Sequence, residues 1–215
     1  DNPAGGYQAN TTAGFSIIDY TGTGANGTVA HGLGVQPNLV IIKNRDSDGN
    51  SWFSHWTNLL TSDAYIMYVN NTDEEASNAT GFNSTQPSST VVTVGTNSGT
   101  NTNDDKYIGY VFASVQGYSK FGFYKGNGNA DGPFIYTGFK PAFLLAKRAN
   151  DSGDWILLDN ARNPFNQTFL TLKPNSNAAE ITSVYWIVDF LSNGFKPKLT
   201  DAELNGDGDT IIYMA

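Results

Sequence analysis

The sequence predicts an all-β protein built of two tandem antiparallel β-sandwich units, jelly-roll or concanavalin-like, related by internal duplication. Three observations lead there. Short runs rich in β-branched and aromatic residues recur along the chain, each bounded by clusters of Gly, Asn and Asp. Several runs alternate in polarity, as strands with one buried face do. The order of runs and turns is also written twice, at an offset of 104 residues.

The repeat sets the organisation. Residues 17–50 align with 121–154 without a gap, sharing Tyr20/Tyr124, Gly22/Gly126, Gly24/Gly128, Gly34/Gly138, Pro37/Pro141, Lys43/Lys147 and Gly49/Gly153. The same offset returns at Asn101/Asn205, Asp105/Asp209 and Ile108/Ile212. A shared offset at both ends means one unit copied whole. Residues 1–13 read as a lead-in arm, 14–116 as the first unit and 117–215 as the second. The junction Val115-Gln116-Gly117-Tyr118 is short, so the units are expected to pack rather than swing. The last run ends at Ala215, where its counterpart continues through Phe112 to Val115, so the second unit is expected to be cut at its C-terminus.

Taken in order, the strand runs of the first unit are GFSIIDY, NLVIIKN, SWFSHW, AYIMYVN, STVVTVG and KYIGYVFASV. Those of the second are KFGFYKG, AFLLAKR, DWILLDN, QTFLTLK, SVYWIVDFL and DTIIYMA. Between them, GTGANG, RDSDGN, KGNGNADGP and LNGDGD supply residues that tolerate positive φ or close Asx-turns. Single helical turns are expected at Asp73–Asn78 and Asn177–Thr182, at matching places in the two units. Two sheets packed face to face would bury the apolar alternation of each unit.

Composition excludes several functions. The 215 residues include no cysteine, so there is no disulfide framework, thiolate metal site or Cys nucleophile. A net charge of −8 argues against nucleic-acid binding, which needs clustered Lys and Arg. No apolar run approaches the length of a membrane-spanning helix, so membrane insertion is not expected. Gly, Asn, Thr and Ser are abundant, with 23 Gly, and the aromatic share of 13% is enough for a packed core.

The string YIGYVFASVQGYSKFGFYKGNGNADGPFIYTGFKPAFLLAKR, with DWILLDNARNPFN, VDFLSNGFK and GTVAHGLGVQPNLVIIKNR, resembles a domain of unknown function widespread in marine bacteriophage proteins, cyanophage- and pelagiphage-like among them. The resemblance covers about 14–215. It implies a tail or virion structural protein, exposed on the virion surface and outside the cell, with an all-β fold and no known catalytic activity. The partners it implies are other virion proteins, further copies of the chain in a homo-oligomer such as a trimer, and a host-surface glycan.

Both histidines, His31 and His55, stand where the other copy has no titratable group, and are expected to be structural or surface residues. Neither a nucleophile elbow nor a His-Glu-x-x-His motif occurs, so no catalytic residue and no enzyme activity is expected. Paired carboxylates would suit glycosidic chemistry. Asp63, Glu74, Glu75 and Glu180 lie in polar loops, while Asp189, inside VYWIVDFL, is expected to pair with Lys147, Arg148 or Arg162.

No cofactor is expected beyond a weak case for calcium. Asp46, Asp48 and Asn50 in the first unit, with Asp151, Asp154, Asp207 and Asp209 in the second, place oxygens around Gly turns. The competing reading is that these are simply good hairpin residues. For a sugar, an aromatic platform is needed. Trp52 and Trp56 are four apart and share a strand face. Trp52 matches Trp155 in the other copy, which favours a core role, whereas Trp56 faces Asp159 and is the better exposed candidate. Tyr65 and Tyr68 are further candidates. The function expected is a non-enzymatic virion-surface module of a tail or capsid fibre that contacts the host. The alternatives are a decoration or fibre-shaft protein without ligand, or a secreted carbohydrate-binding domain.

Overall fold

A computed structural model describes residues 2–182 and 185–215. It divides into two units: Asp1–Val69 with Glu75–Val115, and Asn70–Glu74 with Gln116–Ala215. Among the described residues almost all regular structure is antiparallel β, and no helix is long and apolar enough to cross a membrane.

The strands of the first unit are β1 Ala4–Asn10, β2 Phe15–Thr21, β3 Gly27–Ala30, β4 Leu39–Asn44, β5 Phe53–Trp56, β6 Tyr65–Tyr68, β7 Ala76–Ser77, β8 Val91–Val94 and β9 Lys106–Phe112, with one helical turn, α1, Ser98–Asn101. Seven strands form one sheet in the order β1-β2-β9-β4-β5-β6-β7, and β3 pairs with β8. Alternation decides which side chains go inside. Along β2, Ser16, Ile18 and Tyr20 are buried while Ile17, Asp19 and Thr21 are exposed. In β9, Tyr107, Gly109 and Val111 are buried. One apolar cluster draws on both sheets, joining Ile18, Tyr20, Val40, Ile42 and Tyr107 to Val29, Val92 and Val94.

The residues expected as a lead-in arm are a strand. Ala4–Asn10 pairs with Phe15–Thr21 residue by residue, from Ala4 against Thr21 to Asn10 against Phe15. The chain reverses between them because the Asn10 Oδ1 accepts the Ala13 amide at 3.0 Å and Gly14 takes φ +64°.

In the second unit, β10 Phe121–Lys125, β12 Phe143–Arg148, β13 Ile156–Asp159 and β18 Thr210–Met214 form a sheet in the order β10-β18-β12-β13. A second sheet runs β11 Ile135–Tyr136, β17 Gly194–Pro197, β16 Val188–Leu191, and β14 Leu170–Thr171 pairs with β15 Ile181–Thr182. The core again draws on more than one sheet, with Tyr124, Leu144, Ile156, Ile211 and Tyr213 against Val188, Phe190 and Phe195. The helical turn α2 is Ala202–Asn205.

The helical turns differ from expectation. The stretches expected to be helical carry β7 and β15 instead. They offer no apolar stripe to bury. The turns that do form sit where a side chain caps them. Asn97 Oδ1 accepts the Gly99 amide at 2.8 Å, and Asp201 Oδ1 accepts the Glu203 amide at 3.0 Å.

The strand order β2-β9-β4-β5 recurs as β10-β18-β12-β13. Registers recur with it. Tyr20 opposes Tyr107 and Ile41 opposes Tyr110, and 104 residues later Tyr124 opposes Ile211 and Leu145 opposes Met214. Tyr20 donates to the Thr100 carbonyl at 2.5 Å and Tyr124 to the Leu204 carbonyl at 2.8 Å. Asn101 Oδ1 accepts the Thr23 amide while its Nδ2 donates to the Ala25 carbonyl; Asn205 does the same with Asn127 and Asn129. Gly22 and Gly126 are required by close approach, since a Cβ would lie 2.0 Å from the Thr102 carbonyl oxygen and 2.1 Å from that of Gly206.

Candidate functional site

The aromatic candidates of the first unit are placed by β5 and β6. Trp52 and Trp56 do flank one face, that of Ser54, because residues two apart on a strand point the same way. Trp52 stacks on Tyr110 at 6.2 Å, and the Trp56 Nε1 donates to the Ser54 Oγ at 3.1 Å. Trp56 is only 1% exposed, so it is a core residue and not a sugar platform. All four residues of β5 are buried, a strand covered on both faces, which the apparent alternation of SWFSHW does not reveal. Tyr68 packs edge-on to Phe53 at 5.0 Å and lies against the core. Tyr65 is half-buried in the β6 ladder opposite Ser77. Trp155, the counterpart of Trp52, is fully buried, so the two do not share one environment.

The acidic loops are filled by the chain's own cations. Lys43 Nζ donates to the Ser47 carbonyl at 3.2 Å and the Asn50 carbonyl at 2.6 Å, inside the turn that carries Asp46 and Asp48. Asp46 accepts the Lys106 amide at 2.8 Å. In the second unit Arg148 reaches Asp151 and Asp209, both at 3.3 Å, and Lys173 pairs with Asp154. Asp207 lies exposed in the turn before β18. Among the described residues no three His, Cys, Asp or Glu side chains converge as a metal cluster.

The histidines are interior. His31 accepts the Leu33 amide on Nδ1 at 3.2 Å and places Nε2 3.2 Å from the Ser88 carbonyl, and burial lowers its pKa. His55 is buried with neither ring nitrogen hydrogen-bonded, and burial pushes it down to about 4. Asp189 faces Lys198 at 3.9 Å rather than Lys147, Arg148 or Arg162. Arg162 instead holds Asp159 at 2.7 Å and Glu180 at 3.0 Å. Glu75 accepts the Thr61 amide at 2.8 Å, and Asp63 accepts from Gln86 at 2.8 Å.

Two arrangements in the second unit escaped sequence reasoning. One is a charged clasp at α2. The Trp186 Nε1 bridges Asp201 Oδ1 and Glu203 Oε2, both at 2.9 Å, and its ring carries Lys173 Nζ at 4.2 Å. Burial and the adjacent Glu203 push the Asp201 carboxyl up to about 6. The D-x-E spacing at the start of α2 was its one visible signal.

The other is an aromatic face on the sheet of β11, β17 and β16. Ile135 points into the core, so Phe134 and Tyr136 point out, 48% and 61% exposed. Tyr136 opposes Gly194, and the Phe134 ring lies over that glycine, where a Cβ would be 2.9 Å from ring carbons. Lys196 and Asp189 face each other in the next register, and Lys196 holds Asp131 at 2.6 Å. In the first unit a shallow polar pocket of about 200 Å³ is lined by Asp19, Tyr20, Arg45 and Lys106 among others.

One family model, described as Domain of unknown function (DUF7483), matches residues 5–215. The chain belongs to that family. The DUF7483 match is one continuous span that takes in β1 and both units. No curated protein and no solved structure matches the chain.

Proposed function

We propose that this DUF7483 chain is a non-enzymatic structural module of a phage virion surface, a part of a tail or capsid fibre that contacts the host, made of one β unit used twice. The carrying observation is the recurrence, 104 residues apart, of strand order, register and buried side-chain bonds. Repetition of a β unit extends a surface without new chemistry. The resemblance of the strand and turn strings to marine phage structural proteins supports the setting. The placement of the titratable groups supports the absence of catalysis. Both histidines are buried, and Asp159, Glu180, Asp154, Asp201 and Glu203 are tied to cations or an indole. The test is immunogold labelling of intact particles with antibody against the purified chain. Label on fibres or the capsid surface is the expected result. Antigen confined to the particle-free fraction of the lysate overturns the proposal.

A further inference from the structure

We infer that the outer face of β11 and β17 is a binding platform for a neutral glycan, centred on Phe134 and Tyr136. This rests on the reading of the chain as a host-contacting module and names the chemistry of the contact. Large aromatic rings held half in water are costly to leave exposed and mark contact sites. Here two of them share one face, because Tyr136 opposes Gly194 and the Phe134 ring covers that same glycine.

The rings are not required by the fold. At the equivalent positions 104 residues earlier stand Ala30 and Gly32. There a single ring from another strand, Tyr7 of β1, 48% exposed, lies over the glycine, since a Cβ on Gly32 would be 2.1 Å from it. In the second unit the corresponding sheet begins at β10, with no strand beyond it among the described residues. The same place therefore carries one half-exposed ring lent by a neighbouring strand in the first unit and two exposed rings of its own in the second.

The face is also held rigid. The Thr137 and Gly138 amides donate to the Asn193 carbonyl at 3.0 and 3.2 Å, and Gly132 donates to the Pro197 carbonyl at 3.2 Å. Little ordering is left to be done on binding.

Charge selects the ligand class. The rim holds Lys196 and Lys198 against Asp131 and Asp189, which pair at 2.6 and 3.9 Å and cancel in sign. A polyanion such as nucleic acid or an anionic membrane would find no net attraction there. A neutral sugar suits it: its C–H face lies on the rings, and its hydroxyls reach both ammonium donors and carboxylate acceptors.

The test is binding of the purified full chain to a panel of malto-, cello-, manno- and galacto-oligosaccharides by titration calorimetry and ligand-observed NMR. At least one member is expected to bind. Phe134→Ala and Tyr136→Ala should each weaken that binding about tenfold, the size of losing one stacked ring. Phe165→Ala, at a residue 81% exposed elsewhere, should leave it unchanged. Tyr136→Phe should retain most of it, and circular dichroism checks that each variant folds. Three outcomes overturn the platform: no panel member binds, binding survives both ring removals, or the ring variants change only the oligomeric state. None of these affects the particle-labelling result, so failure of the platform is distinguishable from failure of the virion-surface reading.

Discussion

His55 has an inert-looking neighbourhood with a measurable consequence. Its ring lies 5.3 Å from that of Phe82, and both nitrogens lack hydrogen-bond partners. Burial therefore lowers its pKa from 6.5 to about 4 in the folded chain. Between those values the unfolded chain binds the extra proton, so stability is present above pH 6.5 and is lost as pH falls toward 4. The loss amounts to about 3 kcal/mol. His55→Leu should remove this acid-side slope and, by deleting two unsatisfied nitrogens, stabilise the first unit at pH 5 by about 1 kcal/mol. Urea titrations at several pH values check both. An unchanged slope in the variant would assign acid sensitivity to other groups. A second residue-scale prediction concerns Trp186. Trp186→Phe strips the shared donor from Asp201 and Glu203 and should cost about 2 kcal/mol at neutral pH. Asp201→Asn in that background should recover part of the loss, since it removes one of two facing carboxylates; no recovery would mean the ring's packing alone mattered.

At the scale of elements, legibility follows how local the determinant is. Tyr20/Tyr124, Gly22/Gly126 and Asn101/Asn205 could be read because each is tied to backbone atoms of a neighbouring turn. The same-face relation of Trp52 and Trp56 also follows from strand pitch alone. Which face meets water does not, because it depends on what packs against the strand, and β5 is covered on both sides. Phe134 and Tyr136 were missed for the converse reason. A two-residue strand between Pro133 and Gly138 reads as core, and its outward face is set by what packs against it: among the described residues no strand lies beyond β10 in the neighbouring sheet. Equivalent elements should respond equally to equivalent damage. Tyr20→Phe and Tyr124→Phe each remove one buried hydrogen bond, at about 1 kcal/mol. Asn101→Ala and Asn205→Ala each remove a buried amide that bonds part-buried backbone groups at both ends of a loop, at about 2 kcal/mol. Chemical denaturation of the four variants checks this. A twofold or greater disparity within either pair would mean that the shared register hides different packing.

The whole molecule has a pH profile set by buried lysine and tyrosine side chains. Lys147 is fully buried on β12, donating to the Thr72 and Arg148 carbonyls, and burial lowers it from 10.5 to about 8. Lys43, 104 residues earlier, is only half-buried. Between about pH 8 and 10.5 the unfolded chain holds the proton that folded Lys147 has lost, so stability rises with pH across that window. Four buried tyrosines act in the opposite sense. Burial raises Tyr20, Tyr107, Tyr124 and Tyr213, the last to about 12, so the folded chain keeps its phenols protonated after the unfolded chain has begun to lose them. Their contribution is whole below pH 10 and falls away above it, by about 3 kcal/mol for Tyr213 alone. Unfolding free energy of the second unit should therefore climb from about pH 8 toward 10 and drop steeply beyond it. The phenolate absorbance should appear together with loss of structure and not before it. Lys147→Met should flatten the rising limb and leave the alkaline collapse in place. Phenolate absorbance that rises while the far-ultraviolet spectrum is still native would show that these tyrosines ionise inside the fold, and would remove them as the cause of the collapse.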